Sequence, residues 1–399
     1  MTNTDAILLA LSAFSATVYM LLMGSFAFGL LRGRVRVAAR TAAFRSTPCV
    51  TVLKPLAGGE DELAENLRSF AALDWPDVEL LLGVSSLSDA AVPVARAFIA
   101  ANPALDARLV VTDPNAALNP KVAQLLRLTK EARGEVLVVS DANVRVRPSY
   151  LRDLVAALDE PGVGLVTSVI VGTGERTLGA ALENLQMLAH VAPGVVSGDT
   201  LIGKPISIGK SMAMRAHDLE SVGGFASVAE VLAEDHVLAQ RFARLGFAVR
   251  VSMAPVENRN VGCSTQRSLE RHTRWGRMRR SITPQGFYLE PLLSPIVVTT
   301  LVWLGTLTRI AALALLGAIV LQVAGAMLAS LLLRGRVPMW LPPMEVVRAY
   351  LLFWTWLRAI ASRRVSWRGH DFALHNGSRL TPVGPSVWAR LRERVRTTG

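Results

Sequence analysis

From Ala6 to Leu31 the chain reads AILLALSAFSATVYMLLMGSFAFGLL, 26 residues without a charge. At 1.5 Å per residue such a helix is ~39 Å long, more than a hydrocarbon core of about 30 Å requires. The stretch therefore reads as a membrane anchor. Arg32, Arg34, Arg36, Arg40 and Arg45 follow at once, and the other flank carries only Asp5. This asymmetry places the N-terminus outside and everything after Arg32 in the cytoplasm, as in a bacterial inner membrane. A cleaved signal peptide would carry its basic cluster before the apolar core, not after it.

A second apolar region runs from Pro295 to Leu333, 39 residues interrupted by one charge, Arg309. Arginines on both sides (Arg277, Arg279 and Arg280; Arg334 and Arg336) favour two crossings that return to the cytoplasm. A single tilted span with a re-entrant piece is the alternative. Met344 to Ala361 is apolar but holds Glu345, Arg348 and Arg358, which predicts an interfacial helix rather than a span. The basic tail SRRVSWRGHDFALHNGSRL follows, with short β-like runs and Trp367 expected at the headgroup level. The expected organisation is an anchor over 1–46, a soluble domain over 47–290, membrane segments over 291–361 and a basic cytosolic tail over 362–399. With 51% hydrophobic and 19% charged residues, the composition excludes a disordered chain and argues against a purely soluble one. The net charge of +12 suits a membrane with anionic headgroups. It does not suit nucleic acid, because the basic residues gather beside the apolar segments. Cys49 and Cys263 form no C-x-x-C pair, which excludes a disulfide scaffold and a cysteine-rich zinc site.

Between Thr47 and about residue 285, apolar strands alternate with amphipathic helices. Cys49–Leu53, Val78–Val84, Ala107–Thr112 and Glu135–Ala142 read as strands. Glu60–Leu73, Ser88–Ala101, Lys121–Ala132 and a segment opened by Pro148 read as helices. The continuous apolar run of VELLLGV is what a parallel sheet buried on both faces requires. The repetition predicts a doubly wound α/β domain, with ligands bound beyond the carboxyl ends of the strands.

Several residues fall where such a sheet presents chemistry. Asp89 follows the strand that ends at Val84; a helix N-cap is its ordinary role there. Asp141 ends a strand, and Asn143 lies two residues on. Together they can reach one divalent cation, completed by diphosphate oxygens and water. Glu234 and Asp235 sit side by side in the amphipathic stretch VLAEDHVLAQRF. The run RSLERHTRWGRMRR holds six arginines in 14 residues. Arg271 and Arg274 share one helix face, where two guanidiniums could grip a diphosphate, and Trp275 could exclude water or stack on a sugar. The rest of that run suits anionic lipid. SIGKSM lacks the full Walker spacing, so ATP hydrolysis is not indicated.

VLKPLAG (52–58), ALDWP (72–76), LDARLVV (105–111), NPKVAQL (119–125), SDANVRV (140–146), AEDHVLA (233–239) and RHTRW (271–275) occur in this order. In that order and spacing they resemble the ceramide glucosyltransferase family, the family 21 glycosyltransferases. The resemblance covers about Val50 to Ser294. It implies a GT-A-type nucleotide-sugar-binding domain with an N-terminal transmembrane helix and C-terminal membrane segments. It implies Asp89, Lys54 and Lys121 at the nucleotide sugar, and Asp141 with Asn143 at Mg²⁺ or Mn²⁺. Asp235 becomes the catalytic base with Glu234 beside it, and Arg271, Arg274 and Trp275 match the (Q/R)-x-x-R-W motif. The implied donor is UDP-glucose and the implied acceptor ceramide. Two departures stand out: Ser86 and Ser88 replace acids found in eukaryotic members, and Asn143 replaces the second acid of D-x-D. His190 is one position off a histidine that animal members use for inhibitor sensitivity. Rival readings are a hopanoid or diacylglycerol acceptor (with UDP-GlcNAc as another donor), a processive polysaccharide synthase, and an inactive membrane-anchored binding protein. No motif reports the oligomeric state.

Overall fold

The computed structural model describes residues 3–203, 206–367 and 370–383. Helix α1 (Asn3–Ala43) leads into β1 (Val50–Pro55), α2 (Leu63–Ala71), β2 (Val78–Val84), α3 (Ala91–Ala101) and β3 (Asp106–Val111). Then come α4 (Pro120–Glu131), β4 (Val136–Ser140), β5 (Val144–Arg145), α5 (Tyr150–Leu158) and β6 (Val163–Thr173). A long helical passage starts with α6 (Leu178–Gln186), runs through a π-turn (Met187–Val191) into α7 (Ala192–Ser197), and ends in a second π-turn (Gly198–Ile202). Strand β7 (Ser211–Arg215), α8 (Ala216–Ser221), α9 (Glu234–Arg244), β8 (Ala248–Arg259) and α10 (Thr265–Ile282) complete the soluble part.

The eight strands lie in the order β3-β2-β1-β4-β7-β6-β8-β5. Strands β3, β2, β1 and β4 run parallel, as do β6 and β8. Strand β7 is antiparallel to both β4 and β6, and β5 to β8. Alternate residues of the central strands feed two cores. Val50, Val52, Leu80, Leu82, Val136 and Val138 pack with α2, α3 and α5 on one face. Leu53, Leu81, Leu137 and Val139 pack with α4 and α9 on the other. Helices on both faces of a mainly parallel sheet are what the alternation of elements predicts. The four early strands and their helices fall within a few residues of their expected bounds.

The apolar regions differ more from expectation. The pair predicted over 295–333 is α12 (Pro295–Thr306) and α13 (Arg309–Arg334), broken at Leu307, whose φ is 51°. At 12 residues α12 is only ~18 Å long, too short to cross alone. It continues α11 (Pro284–Leu289) and a 3₁₀ turn (Glu290–Leu293) across a 75° bend. Among the described residues, α1 and α13 are the two helices long and apolar enough to cross a membrane.

Helix α14 (Leu341–Ala361) is not among the helices apolar enough to cross, but its charges are not where the interfacial reading put them. Glu345 and Arg348, the charges that argued for headgroup contact, are buried in protein. Arg348 donates to Glu345 at 2.6 and 2.5 Å and to Gln186, and Gln322 of α13 donates to Glu345 at 2.8 Å. One turn of helix neutralises its own charge, and α14 turns Val347, Tyr350, Trp354 and Leu357 outward instead. A small antiparallel sheet, β9 (Arg364–Trp367), β10 (His370–Leu374) and β11 (Leu380–Pro382), follows. The side chain of Trp367 and the tail over 384–399 lie outside the described residues.

Candidate active site

The carboxyl end of β4 and the amino end of the antiparallel β7 meet the N-termini of α4 and α9, and the ionisable side chains converge there. Asn119 caps α4: its Oδ1 accepts from the amides of Lys121 and Val122 at 2.9 and 3.2 Å. That cap directs Lys121 across to β4. Its Nζ lies 2.9 Å from Asp141 Oδ1 and 3.1 Å from Glu234 Oε1, and donates to the Gly209 carbonyl at 2.7 Å. Asn119 Nδ2 also donates to Glu234 Oε2 at 3.2 Å. Glu234 and Asp235 open α9 rather than lying within it, and the helix dipole favours carboxylates there. Asp235 Oδ2 accepts from Gly209 N at 2.5 Å, and Oδ1 from His236 N at 2.7 Å.

The electrostatics separate these carboxylates. Burial pushes Asp141 up, but the ammoniums of Lys121, Lys210 and Lys54 outweigh it and hold its pKa at about 2. Burial raises Glu234 and Asp235 above the ordinary carboxylate range, and Lys121 offsets only part of that. Asp141 is thus a fixed negative charge, whereas Asp235 sits closer to the protonation balance that a general base needs.

Lys54 has a different place from the one expected. It is fully buried, and its Nζ donates to the Asp141 carbonyl at 2.7 Å and Ser140 Oγ at 3.3 Å, 4.0 Å from the Phe70 ring centroid. Burial draws its pKa down to about 7. It holds the turn that presents Asp141 and does not line the cleft. Asp89 Oδ1 accepts from Ala91 N at 2.8 Å in the turn before α3, and a Cβ on Gly58 would fall 2.9 Å from it. Arg271 is tied by a close ion pair to Glu183, which is fully buried on α6. The pair braces α10 on α6, and the expected grip on a diphosphate has to be made by its remaining nitrogens. Arg274 and Trp275 are half-buried on the same helix; Trp275 packs against the first core and edge-on against His272.

Two residues that the motifs did not single out complete the cluster. Lys210 Nζ stands 3.5 Å from Asp141 Oδ2 and 3.1 Å from Asn143 Oδ1. Gly209 accepts from Lys121 and donates to Asp235. Both lie in SIGKSM, a glycine-lysine pair whose only sequence signal was its likeness to an incomplete phosphate loop. Lys210 also bears on metal binding. The two oxygens of Asp141 and Asn143 face one point, and a cationic nitrogen sits there. A divalent ion held by these two oxygens would have to displace the Lys210 ammonium and take its remaining ligands from diphosphate and water. Among the described residues no cluster of three or more His, Cys, Asp or Glu side chains forms a fuller metal site.

Residues 8–380 match glycosyl transferase family 21. The chain belongs to that family. Relatives in it include ceramide glucosyltransferase 3 of Caenorhabditis elegans, 26% identical over 248 residues, or 62% of this chain and 54% of that protein. Ceramide glucosyltransferase 1 of the same organism is 26% identical over 288 residues, 71% of this chain and 61% of the relative. The family 21 chain thus spans a little over half the length of these relatives. The mannosyltransferase PcManGT from Pyrobaculum calidifontis, solved with GDP-Man and Mn²⁺, aligns with a TM-score of 0.47 at 20% identity, covering 88% of this chain and 97% of that one.

Proposed function

We propose that this glycosyltransferase moves a hexose, glucose from UDP-glucose, onto the hydroxyl of a membrane lipid, ceramide first among the candidates, with inversion at the anomeric carbon. One observation carries the reading: Asp235, held by the Gly209 amide, stands beside a cluster of lysines around Asp141, in a domain packed onto apolar helices. The lipid oxygen attacks C1 of the sugar, the bond from C1 to the diphosphate oxygen breaks, and Asp235 takes the hydroxyl proton. Lys121 keeps Glu234 in place, and the Gly209 amide keeps Asp235. Lys210 and Arg274 meet the charge left on the departing diphosphate. Asp141 and Asn143 would hold a Mg²⁺ or Mn²⁺, whose charge would add to the stabilisation of the diphosphate. The catalytic domain lies on the arginine-rich, cytoplasmic side of a bacterial inner membrane.

The test uses the full chain in nanodiscs with labelled UDP-glucose, offered ceramide, diacylglycerol or a hopanoid polyol. Label in a glucosylceramide band is expected. Asp235→Asn is expected to lower it by about 10²–10⁴-fold. Label on another lipid alone replaces the acceptor, and Asp235→Asn with full turnover removes the base. UDP-GlcNAc in place of UDP-glucose checks the donor.

A further inference from the structure

A cavity lies apart from the carboxylate cluster, where α10 meets the apolar helices. Its free volume is about 70 Å³. One water takes roughly 10–15 Å³ on that measure, so several waters or the polar end of a lipid fit. One wall is apolar: Val297 of α12, with Leu352 and Phe353 of α14. The other wall is polar: Gln186 at the end of α6, His190 of the π-turn that follows it, and His272 of α10.

His272 is 6% exposed, and its Nε2 is buried with no hydrogen-bond partner. An orphaned buried polar atom costs about 1–3 kcal/mol, so a ligand that supplies its partner recovers that loss. The charged residues of the lining are already matched. Arg279 binds Glu290 at 2.5 and 3.0 Å, and Arg348 binds Glu345. A phosphate headgroup would find those guanidiniums occupied and would set its charge against Glu290. Burial keeps the imidazoles of His190 and His272 neutral, with pKa values near 3, so neither offers an anion a cationic partner. A hydroxyl or amide meets no such conflict.

The apolar wall runs outward. Leu352 and Phe353 are half-buried, and their helix exposes Val347, Tyr350, Trp354 and Leu357. A lipid chain can follow that face while its polar end enters. The site adjoins the machinery through α10: His272 follows Arg271, and its ring packs on Trp275 at 5.3 Å.

We propose that this cavity receives a non-reacting polar group, an amide or a second hydroxyl, of an uncharged membrane lipid whose reacting hydroxyl reaches Asp235, with His272 Nε2 as the hydrogen-bond partner of that group. The inference rests on the lipid-acceptor reading above and adds where the acceptor docks and why it is uncharged. The test measures the KM for a short-chain ceramide, the KM for UDP-glucose and UDP binding, for the full chain in nanodiscs. His272→Phe keeps the ring against Trp275 and removes the nitrogen; Val297→Trp fills the apolar wall. Each is expected to raise the acceptor KM about tenfold or more while UDP binding and donor KM stay within twofold. His272→Gln is expected to restore part of the loss, which a role in packing alone would not give. Acceptor KM values within twofold of wild type in both variants, with UDP binding intact, overturn the inference and leave the transferase reading standing. Competition by excess phosphatidylglycerol overturns the restriction to uncharged lipids. A wild-type chain that labels no lipid overturns the transferase reading itself, and this inference with it.

Discussion

Gly209 occupies a place with no room for a side chain. A Cβ there would fall 2.9 Å from Lys121 Nζ and 3.1 Å from both Cβ and Oδ2 of Asp235. One methyl group would therefore part the base from the amide that holds it. Gly209→Ala is expected to cut kcat by at least tenfold while the melting temperature moves by only a few degrees, a comparison that calorimetry and single-turnover assays make directly. Asp235 also fixes the pH response. A base must be ionised to take a proton, so kcat/KM falls as pH drops through its pKa. Burial has raised that pKa, so the acid limb is expected above the ordinary aspartate range. Lys121 lowers both carboxylates of the pair, so Lys121→Met is expected to move the limb further up; a limb that stays put would remove Asp235 from the role. Asp141, Asn143, Lys121, Glu234 and Asp235 were all legible in the sequence, because each sits at a strand or helix end beside a recognisable motif. Lys210 and Gly209 were not. Their roles come from contacts to residues 26 to 88 positions away, which no local spacing reports.

At the scale of elements, the C-terminal sheet fastens the loop that leads into α9. Leu380 N donates to the Glu230 carbonyl at 2.8 Å and Leu232 N to the Ser378 carbonyl at 2.9 Å. Ser378 Oγ accepts from Ala233 N at 3.0 Å, one residue before Glu234. Val365, Phe372, Leu374 and Leu380 cover Leu232 in a core of their own. The β-like runs of the tail were visible in the sequence, but not their pairing with residues 150 positions earlier, and the arginines around them pointed to headgroups instead. Ending the chain after Ser362 uncovers Leu232 and frees the segment that positions Asp235. Transfer is expected to fall at least tenfold while the protein still sediments with membranes. The finer probe is Ser378→Gly, which keeps the positive φ of 63° and removes the hydroxyl. It is expected to cost about 1 kcal/mol and several-fold in kcat, with donor KM unchanged. An unaltered kcat would make the clasp a matter of stability alone.

For the whole molecule, the question is whether the anchor is a tether or a part of the fold. The run Ala6–Leu31 declares a span by composition, and composition does not say which face meets lipid. In the structure, Ile7, Leu11, Phe14, Leu21 and Phe28 face outward, whereas Tyr19, Met23, Phe26 and Leu30 are buried against β6, the helical passage after it and α13. Gly29 and Gly33 allow the close approach: a Cβ on either would strike Thr200 or Met253. The boundary expected near residue 46 therefore cuts through a shared core. In aqueous buffer, where the alternative to this contact is water rather than lipid, four buried side chains of this size contribute roughly 6–12 kcal/mol, at about 1.5–3 kcal/mol each. That is comparable to the 5–15 kcal/mol that holds an ordinary domain folded. Their removal also bares Val169, Val171, Leu185 and Leu188. A chain beginning at residue 47 is accordingly expected to aggregate in aqueous buffer and to lose UDP binding, as light scattering and calorimetry would report. If it elutes as a monomer with UDP binding intact, α1 is a separable tether and the buried face contributes nothing the domain needs.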